Sequence, residues 1–146
     1  MTVFDLLRAD HRQLTQLFDE VRQTSDYSER RSLFEELRDR LEAHSELEEE
    51  LLYPRLSRKT ELIELMTESS EDHRLMREVI SELATAYDPD DFEELLDELI
   101  DLVEDHVAEE EAEVFPRVLT AMTEGEWQDL YDQMLLRRRE STSLAA

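Results

Sequence analysis

Apolar residues recur along this chain at alternating steps of three and four, the spacing that gathers them on one face of an α-helix. The first stretch puts Phe4, Leu7, His11, Leu14, Phe18 and Val21 on one stripe. The second follows Ser28 and carries Phe34, Leu37, Leu41, His44, Glu48 and Leu51. The third follows Thr60 and carries Met66, Ser69, His73, Met76, Ile80, Leu83 and Tyr87. The fourth carries Leu96, Leu99, Val103, His106 and Glu110. Its start is written in Asp88-Pro89-Asp90-Asp91: an Asp cap, a proline at the first helical position, and acids in the first turn. Thr2 with Asp5 is a matching start signal for the first helix. Thr123 with Glu126 forms a capping box for a shorter fifth helix that turns Trp127, Leu130, Tyr131 and Met134 inward. Residues 141–146 read as a frayed tail. The pattern predicts an all-α fold: an up-down-up-down four-helix bundle over residues 1–120, with a short C-terminal helix over 121–140 packed on it.

The two halves repeat. Shifted by 62 positions, His11 falls on His73, His44 on His106, Glu48 on Glu110, and Pro54-Arg55 on Pro116-Arg117. Of the 47 pairs aligned from Asp10/Asp72 to Leu56/Val118, 15 are identical. Compositional bias explains some Glu and Leu matches. It does not explain why all four histidines of the chain fall into register. Each half is therefore a helical hairpin that cannot bury its apolar face alone. Two of them, related by a pseudo-two-fold axis, make one core.

Composition narrows the chemistry. The 146 residues fit one domain, and sixteen Lys and Arg against forty Asp and Glu leave a net charge of −24. That balance argues against binding nucleic acid, which needs a basic face to displace phosphate counterions, and against an anionic membrane surface. One glycine is too few for a phosphate-cradling loop, and without cysteine there is no disulfide, thiolate metal site or thiol redox chemistry. No apolar run reaches the ~18 residues of a membrane span, and the charged first ten residues do not read as a signal peptide. The expectation is a soluble, cytoplasmic protein.

Glu48 and Glu110 are the anomaly on the apolar stripes. A charged carboxylate in a core costs several kcal/mol unless it is paired or bound to a metal. No Lys or Arg occupies the stripes at their level. Four imidazoles and two carboxylates converging in one bundle core form a metal-ligand set, and His-x-x-x-Glu places both ligands on one helix face. Two carboxylates able to bridge suggest two metals: one held by His11 and His44, the other by His73 and His106, with both glutamates shared. Mixed imidazole and carboxylate ligands with open positions suit non-haem iron better than a closed tetrahedral zinc site. Each feature taken singly has a plainer explanation. Asp10-His11 and Asp72-His73 read as local pairs or helix-surface charge, and Glu46–Glu50 and Glu109–Glu113 as solvated faces.

The pattern His11, His44-x-x-x-Glu48, His73, His106-x-x-x-Glu110 resembles the hemerythrin-like HHE cation-binding domain family, over residues 3–120 or so. The tails from Glu48 to Pro54 and from Glu110 to Pro116 match that family as well. The resemblance implies a four-helix bundle with two oxo- or hydroxo-bridged iron ions on those six ligands. Oxygen-carrying hemerythrins place a further His four positions after the third one, where this chain has Arg77. They also end in His-x-x-x-x-Asp, which leaves Glu111 as a weaker alternative to Glu110. The four-His, two-Glu set looks more like the bacterial stress-related branch, which includes iron–sulfur-cluster repair proteins and small proteins with catalase-like activity. The repair proteins carry a Cys-bearing segment that this sequence does not contain.

Tyr53 breaks the repeat, since its counterpart is Phe115. A phenol can hydrogen-bond a metal-bound oxygen or ligate ferric iron. Nine residues after His44 is about 180° around a straight helix, so Tyr53 reaches the metals only if Pro54 distorts that turn. Packing at the bundle end is the plainer role.

Two functions are expected from these residues. In one, the di-iron site reacts with hydrogen peroxide, oxygen or nitric oxide in oxidative or nitrosative stress defence, with catalase-like activity. In the other, the chain binds or senses oxygen, nitric oxide or iron without turnover, and Arg137-Arg138-Arg139 faces an acidic protein partner. A purely structural bundle would have no use for two core glutamates.

Overall fold

The structure is a computed structural model that describes residues 1–145, with side chains described for residues 1–140. Four long helices carry the fold: α1 (Val3–Gln23), α2 (Tyr27–Glu46), α4 (Ile63–Ala84) and α5 (Pro89–Glu109). Short helices α3 (Tyr53–Leu56) and α6 (Phe115–Val118) extend α2 and α5, and α7 (Glu124–Ala145) completes the chain. Among the described residues no helix is long and apolar enough to cross a membrane.

The caps explain the boundaries. Thr2 accepts from the Asp5 amide at 3.2 Å while Asp5 accepts from the Thr2 amide at 3.0 Å, a reciprocal capping box. Helix α2 starts two residues earlier than the sequence suggested, because the Asp26 carboxylate accepts from the Glu29 amide at 3.0 Å. Asp88 caps α5 in the same way and occupies the equivalent place in the repeat. Helix α4 begins at Ile63 after a 3₁₀ turn, Thr60–Leu62, rather than directly after Thr60.

Two apolar clusters build the core, and their membership fixes the topology. One joins Leu14, Leu17, Phe18 and Val21 of α1 to Phe34, Leu37 and Leu41 of α2, to Met76, Val79 and Leu83 of α4, and to Phe92, Leu96, Leu99 and Val103 of α5. The other joins Phe4 and Leu7 to Leu47, Leu52, Tyr53, Met66, Phe115, Leu130 and Met134. Helices α1 and α4 run from the second cluster to the first, and α2 and α5 run back. The bundle is therefore up-down-up-down. The four histidines and Glu110 lie between the clusters in sequence order, and Glu48 follows directly after Leu47 of the second. Leu99, fully buried in the first cluster, provides a direct check. Leu99→Ala is expected to lower unfolding free energy by about 2–5 kcal/mol in urea titrations, through lost burial and the cavity left behind.

Three expectations need correction. Tyr87 lies beyond the end of α4 and is 79% exposed, so it is not part of the inward stripe. The fifth helix is not short: α7 spans 22 residues. No Gly or Pro interrupts it after Gly125, and its charged second half is held against the bundle by Arg137 on Glu50 and Arg138 on Asp10. Arg137 and Arg138 are thus engaged within the chain, with each side chain still 34% exposed. Of the expected frayed tail at 141–146, the backbone to Ala145 is helical; Ala146 and the side chains from 141 onward lie outside the described residues.

Candidate metal centre

Each proline of the repeat sits two residues past the end of a widened turn. Leu47–Leu52 and Glu110–Val114 are π-helical, with the Tyr53 amide donating to the Glu48 carbonyl and the Phe115 amide to the Glu110 carbonyl, five residues back. A proline ring crowds the carbonyl four residues before it, and widening the preceding turn relieves that crowding. The i→i+5 turn absorbs one extra residue, which sets everything after it back by about 100°. Tyr53 is thereby carried from the far side of the helix to the core. It is 4% exposed, with its hydroxyl 3.5 Å from His73 Nε2 and its ring stacked on that imidazole at 5.6 Å between centroids. The equivalent Phe115 stacks on His11 at 6.2 Å and offers no polar atom.

All six residues singled out on the stripes meet. His11, His44 and Glu110 bring ligand atoms within 4.8 Å of one another, and so do Glu48, His73 and His106. The histidines thus divide into the two pairs the repeat suggested. Both glutamates reach both pairs. Glu110 lies 3.2 Å from His11 Nε2 through one oxygen and 3.2 Å from His106 Nε2 through the other. Glu48 Oε1 is 3.2 Å from the Nε2 atoms of His44 and His73 and 4.0 Å from that of His106.

The outward-facing nitrogens complete the pattern, and here sequence reasoning missed residues. His44 Nδ1 is 2.9 Å from Asp10, and His106 Nδ1 is 2.8 Å from Asp72. His11 Nδ1 is 3.2 Å from Glu111, while His73 Nδ1 is 3.6 Å from Glu49, beyond a good hydrogen bond. Asp10 and Asp72 play the same role in the two halves; Glu49 occupies the place of Glu111 without closing the hydrogen bond. Asp10 and Asp72 are not local pairs of the histidines that follow them; they cross to the partner helix of their own hairpin. Glu49 and Glu111 instead reach histidines of the other hairpin. Glu111, the weaker alternative ligand, stands on the outer side of His11. The signal was available, since all four carboxylates are among the identical pairs of the repeat. A carboxylate accepting from Nδ1–H fixes the tautomer that leaves Nε2 free to bind a metal.

The Nε2 atoms of His11 and His44 and all four carboxylate oxygens of Glu48 and Glu110 are buried with no hydrogen-bond partner. Their 3.2 Å separations are not aligned as hydrogen bonds: the atoms point at common volumes rather than at one another. Buried orphan acceptors are rare because each costs free energy, and a cation is what this donor set would satisfy. The residues fit two metal ions.

Electrostatics agree. Burial raises the Glu48 pKa, but His44, His106 and His73 outweigh it and hold the carboxyl well below its ordinary range. Burial also opposes charge on His44, yet Glu48 and Asp10 raise its pKa to about 10. His106, likewise opposed by burial, is raised to about 12 by Asp72, Glu110 and Glu48. Without a cation, the two carboxylates hold protons on imidazoles. Burial, then Glu48 and Glu110, push the Tyr53 phenol well above its ordinary value, so it stays a proton donor.

A profile of the hemerythrin HHE cation-binding domain matches residues 2–118. The chain belongs to that family. The matched span covers all four long helices and every one of the six candidate ligands, so hemerythrin-like cation binding and the helical bundle go together here. A protein named DNA nickase, from Nostoc sp., is 33% identical over 121 residues. The match takes in 81% of this chain but 34% of that relative, so this chain spans about a third of its length. No solved structure matches.

One link connects this hemerythrin-like centre to α7. Arg138 donates to both oxygens of Asp10, at 2.8 and 2.7 Å, and Asp10 in turn holds His44. Burial opposes ionisation of Asp10, but His44 and Arg138 lower its pKa to about 2. Asp10→Asn removes the charge and keeps the size. It is expected to weaken metal binding by about 10–100-fold, the usual cost of losing such a partner, as read by chelator competition.

Proposed function

We propose that the chain would hold two iron ions, oxo- or hydroxo-bridged, one at His11 and His44 and the other at His73 and His106, with Glu48 and Glu110 shared between them. It reacts there with a small oxidant: hydrogen peroxide, oxygen or nitric oxide. Catalase-like peroxide removal in oxidative stress defence, in the cytoplasm, is the reading favoured, as in the four-His, two-Glu branch of the family. The observation that carries it is the convergence of four fully buried, unpartnered carboxylate oxygens on the inner nitrogens of four histidines.

Bound iron supplies paired one-electron redox chemistry; the protein does the rest. The imidazoles bind without adding charge. Glu48 and Glu110 contribute the negative charge that favours the higher valence and span both positions. Asp10, Asp72 and Glu111 fix the histidine tautomers, and the apolar clusters on both sides exclude bulk water. Tyr53 holds a proton beside His73 Nε2, on one side of the centre only. Tyr53→Phe is expected to leave metal content unchanged and to slow peroxide consumption several-fold.

The test is metal content and the ultraviolet–visible spectrum of protein made in iron-rich medium, followed by peroxide consumption compared with free iron. About two irons per chain, oxo-bridged ferric absorption and turnover above free iron support the reading; failure to retain iron overturns it. A second reading, binding or sensing without turnover, draws on the Arg138–Asp10–His44 link, through which a change at the centre would reach α7. Iron retention without turnover selects it. The DNA-directed activity in the relative's name belongs to that longer protein, and a net charge of −24 gives no electrostatic support for carrying it over.

A further inference from the structure

The pseudo-two-fold is broken in the wall of the centre. Between α2 and α4 lies a cavity of about 200 Å³ that reaches His73, lined by Leu41, Ser45, Met76 and Ile80, with Glu49 and Arg77 beside His73. The repeat places the equivalent wall between α5 and α1, at Val103, Val107, Leu14 and Phe18. There Val107 replaces Ser45 and Phe18 replaces Ile80. Phe18 is 1% exposed and Leu14 2%, packed in the apolar cluster, whereas Ile80 is only partly buried. The wall beside His11 thus carries bulkier side chains at two of its four positions than the wall beside His73. Across the hollow side, Arg77 donates to Glu49 at 2.8 Å, and that same Glu49 oxygen lies 3.6 Å from His73 Nδ1.

We propose that this cavity is the one-sided access route to the centre, admitting small molecules such as azide to the His73–His106 position, with the Arg77–Glu49 ion pair on its solvent-facing side. Ser45 and Ile80 are the residues that keep it open. The Arg77–Glu49 ion pair beside His73, rather than the cavity volume, narrows the approach. The partly apolar lining, with Arg38 and Arg77 against Glu42, Glu46 and Glu49, selects for small molecules rather than for charge. The route reaches His73, the imidazole on whose inner nitrogen the Tyr53 hydroxyl stands.

The proposal rests on the di-iron reading for its chemistry but not for its geometry, and the test separates the two. S45V/I80F transplants the closed wall onto the open one, and F18I/V107S does the reverse; neither pair includes a candidate ligand. In iron-loaded protein, azide association followed by stopped-flow absorbance is expected to slow at least fivefold in S45V/I80F at unchanged iron content, and not to slow in F18I/V107S. Unchanged association in S45V/I80F overturns the route. Where the chain retains no iron, the di-iron reading fails and the metal-free chain tests the cavity by hydrogen exchange at the imidazole C2 position, resolved by mass spectrometry. His73 is then expected to exchange faster than His11, and S45V/I80F to bring it down to the His11 rate. Equal exchange in the unmodified chain, or no change in the variant, overturns it. S45V alone, a small change at the surface of the hollow, serves where the double variant does not fold.

Discussion

Replacing Glu48 and Glu110 together with glutamine is expected to abolish metal retention. The amides keep the size of the carboxylates but remove both negative charges from a site where four neutral imidazoles supply none. Loss of a carboxylate that only orients a ligand costs about 10–100-fold in affinity; loss of both spanning carboxylates exceeds that. The readouts are metal per chain after purification and competition with a chelator. The metal-free fold is expected to survive. Removing one partner of a buried ion pair costs about 3–5 kcal/mol when the other must stay charged. His44 and His106 need not stay charged, because without Glu48 and Glu110 each can shed its proton. A folded double variant with full metal content would remove the basis of the site.

The second large effect is proton release. In the metal-free chain His44 titrates at about 10 and His106 at about 12, so both carry protons at neutral pH. Metals bind neutral imidazole and must displace those protons. Loading is expected to release about two protons per chain from these residues, one per metal, and affinity at each position to rise by up to ~10-fold per pH unit, ~100-fold for the two together, while both are protonated. Calorimetry in buffers of different ionisation enthalpy measures the release directly. Metal-free stability has the opposite dependence on the basic side. The two histidines have folded pKa values above the unfolded value of about 6.5, so their contribution is full below that value and is lost as pH rises through about 10 and 12. Glu48 is depressed in the folded state, so its contribution is full above the unfolded value of about 4.5 and is lost as pH falls through its folded value. Metal-free stability is therefore expected to be highest between about pH 4.5 and 6.5, whereas metal binding is expected to be weak there. Thermal melts with and without metal across pH distinguish the two trends. Parallel curves would count against proton–metal competition.

The four helices, their order and the meeting of the six stripe residues were legible in the sequence for a common reason. A stripe of period 3.6 must face inward, and a duplicated stripe must face its copy. His11, His44, Glu48, His73, His106 and Glu110 each occupy a stripe position, so burial alone brought them together. The sequence also marked the caps at Thr2, Asp88 and Thr123, since a cap is a local hydrogen bond between residues two or three apart. It failed at Tyr87 because a stripe does not say where its helix stops.

Features that depend on several helices at once were decided only by the tertiary structure. Asp10 and Asp72 sit next to histidines in sequence, but each serves the histidine 34 residues on, across a hairpin. Adjacent residues on a helix point about 100° apart, so contiguity could not have paired them. Tyr53 reaches His73 because a π-helical turn, imposed before Pro54, re-phases the residues beyond it; a straight-helix reading places it on the opposite face. Arg138 finds Asp10 across 128 positions because α7 continues along the bundle beyond its apolar stretch. The hollow beside His73 is lined by Ser45 and Ile80 from two helices, where the other half has Val107 and Phe18. Local pattern determined which residues are inside. The packing of one helix against another determined which of them touch, and so which hold the ligands and which leave a way in.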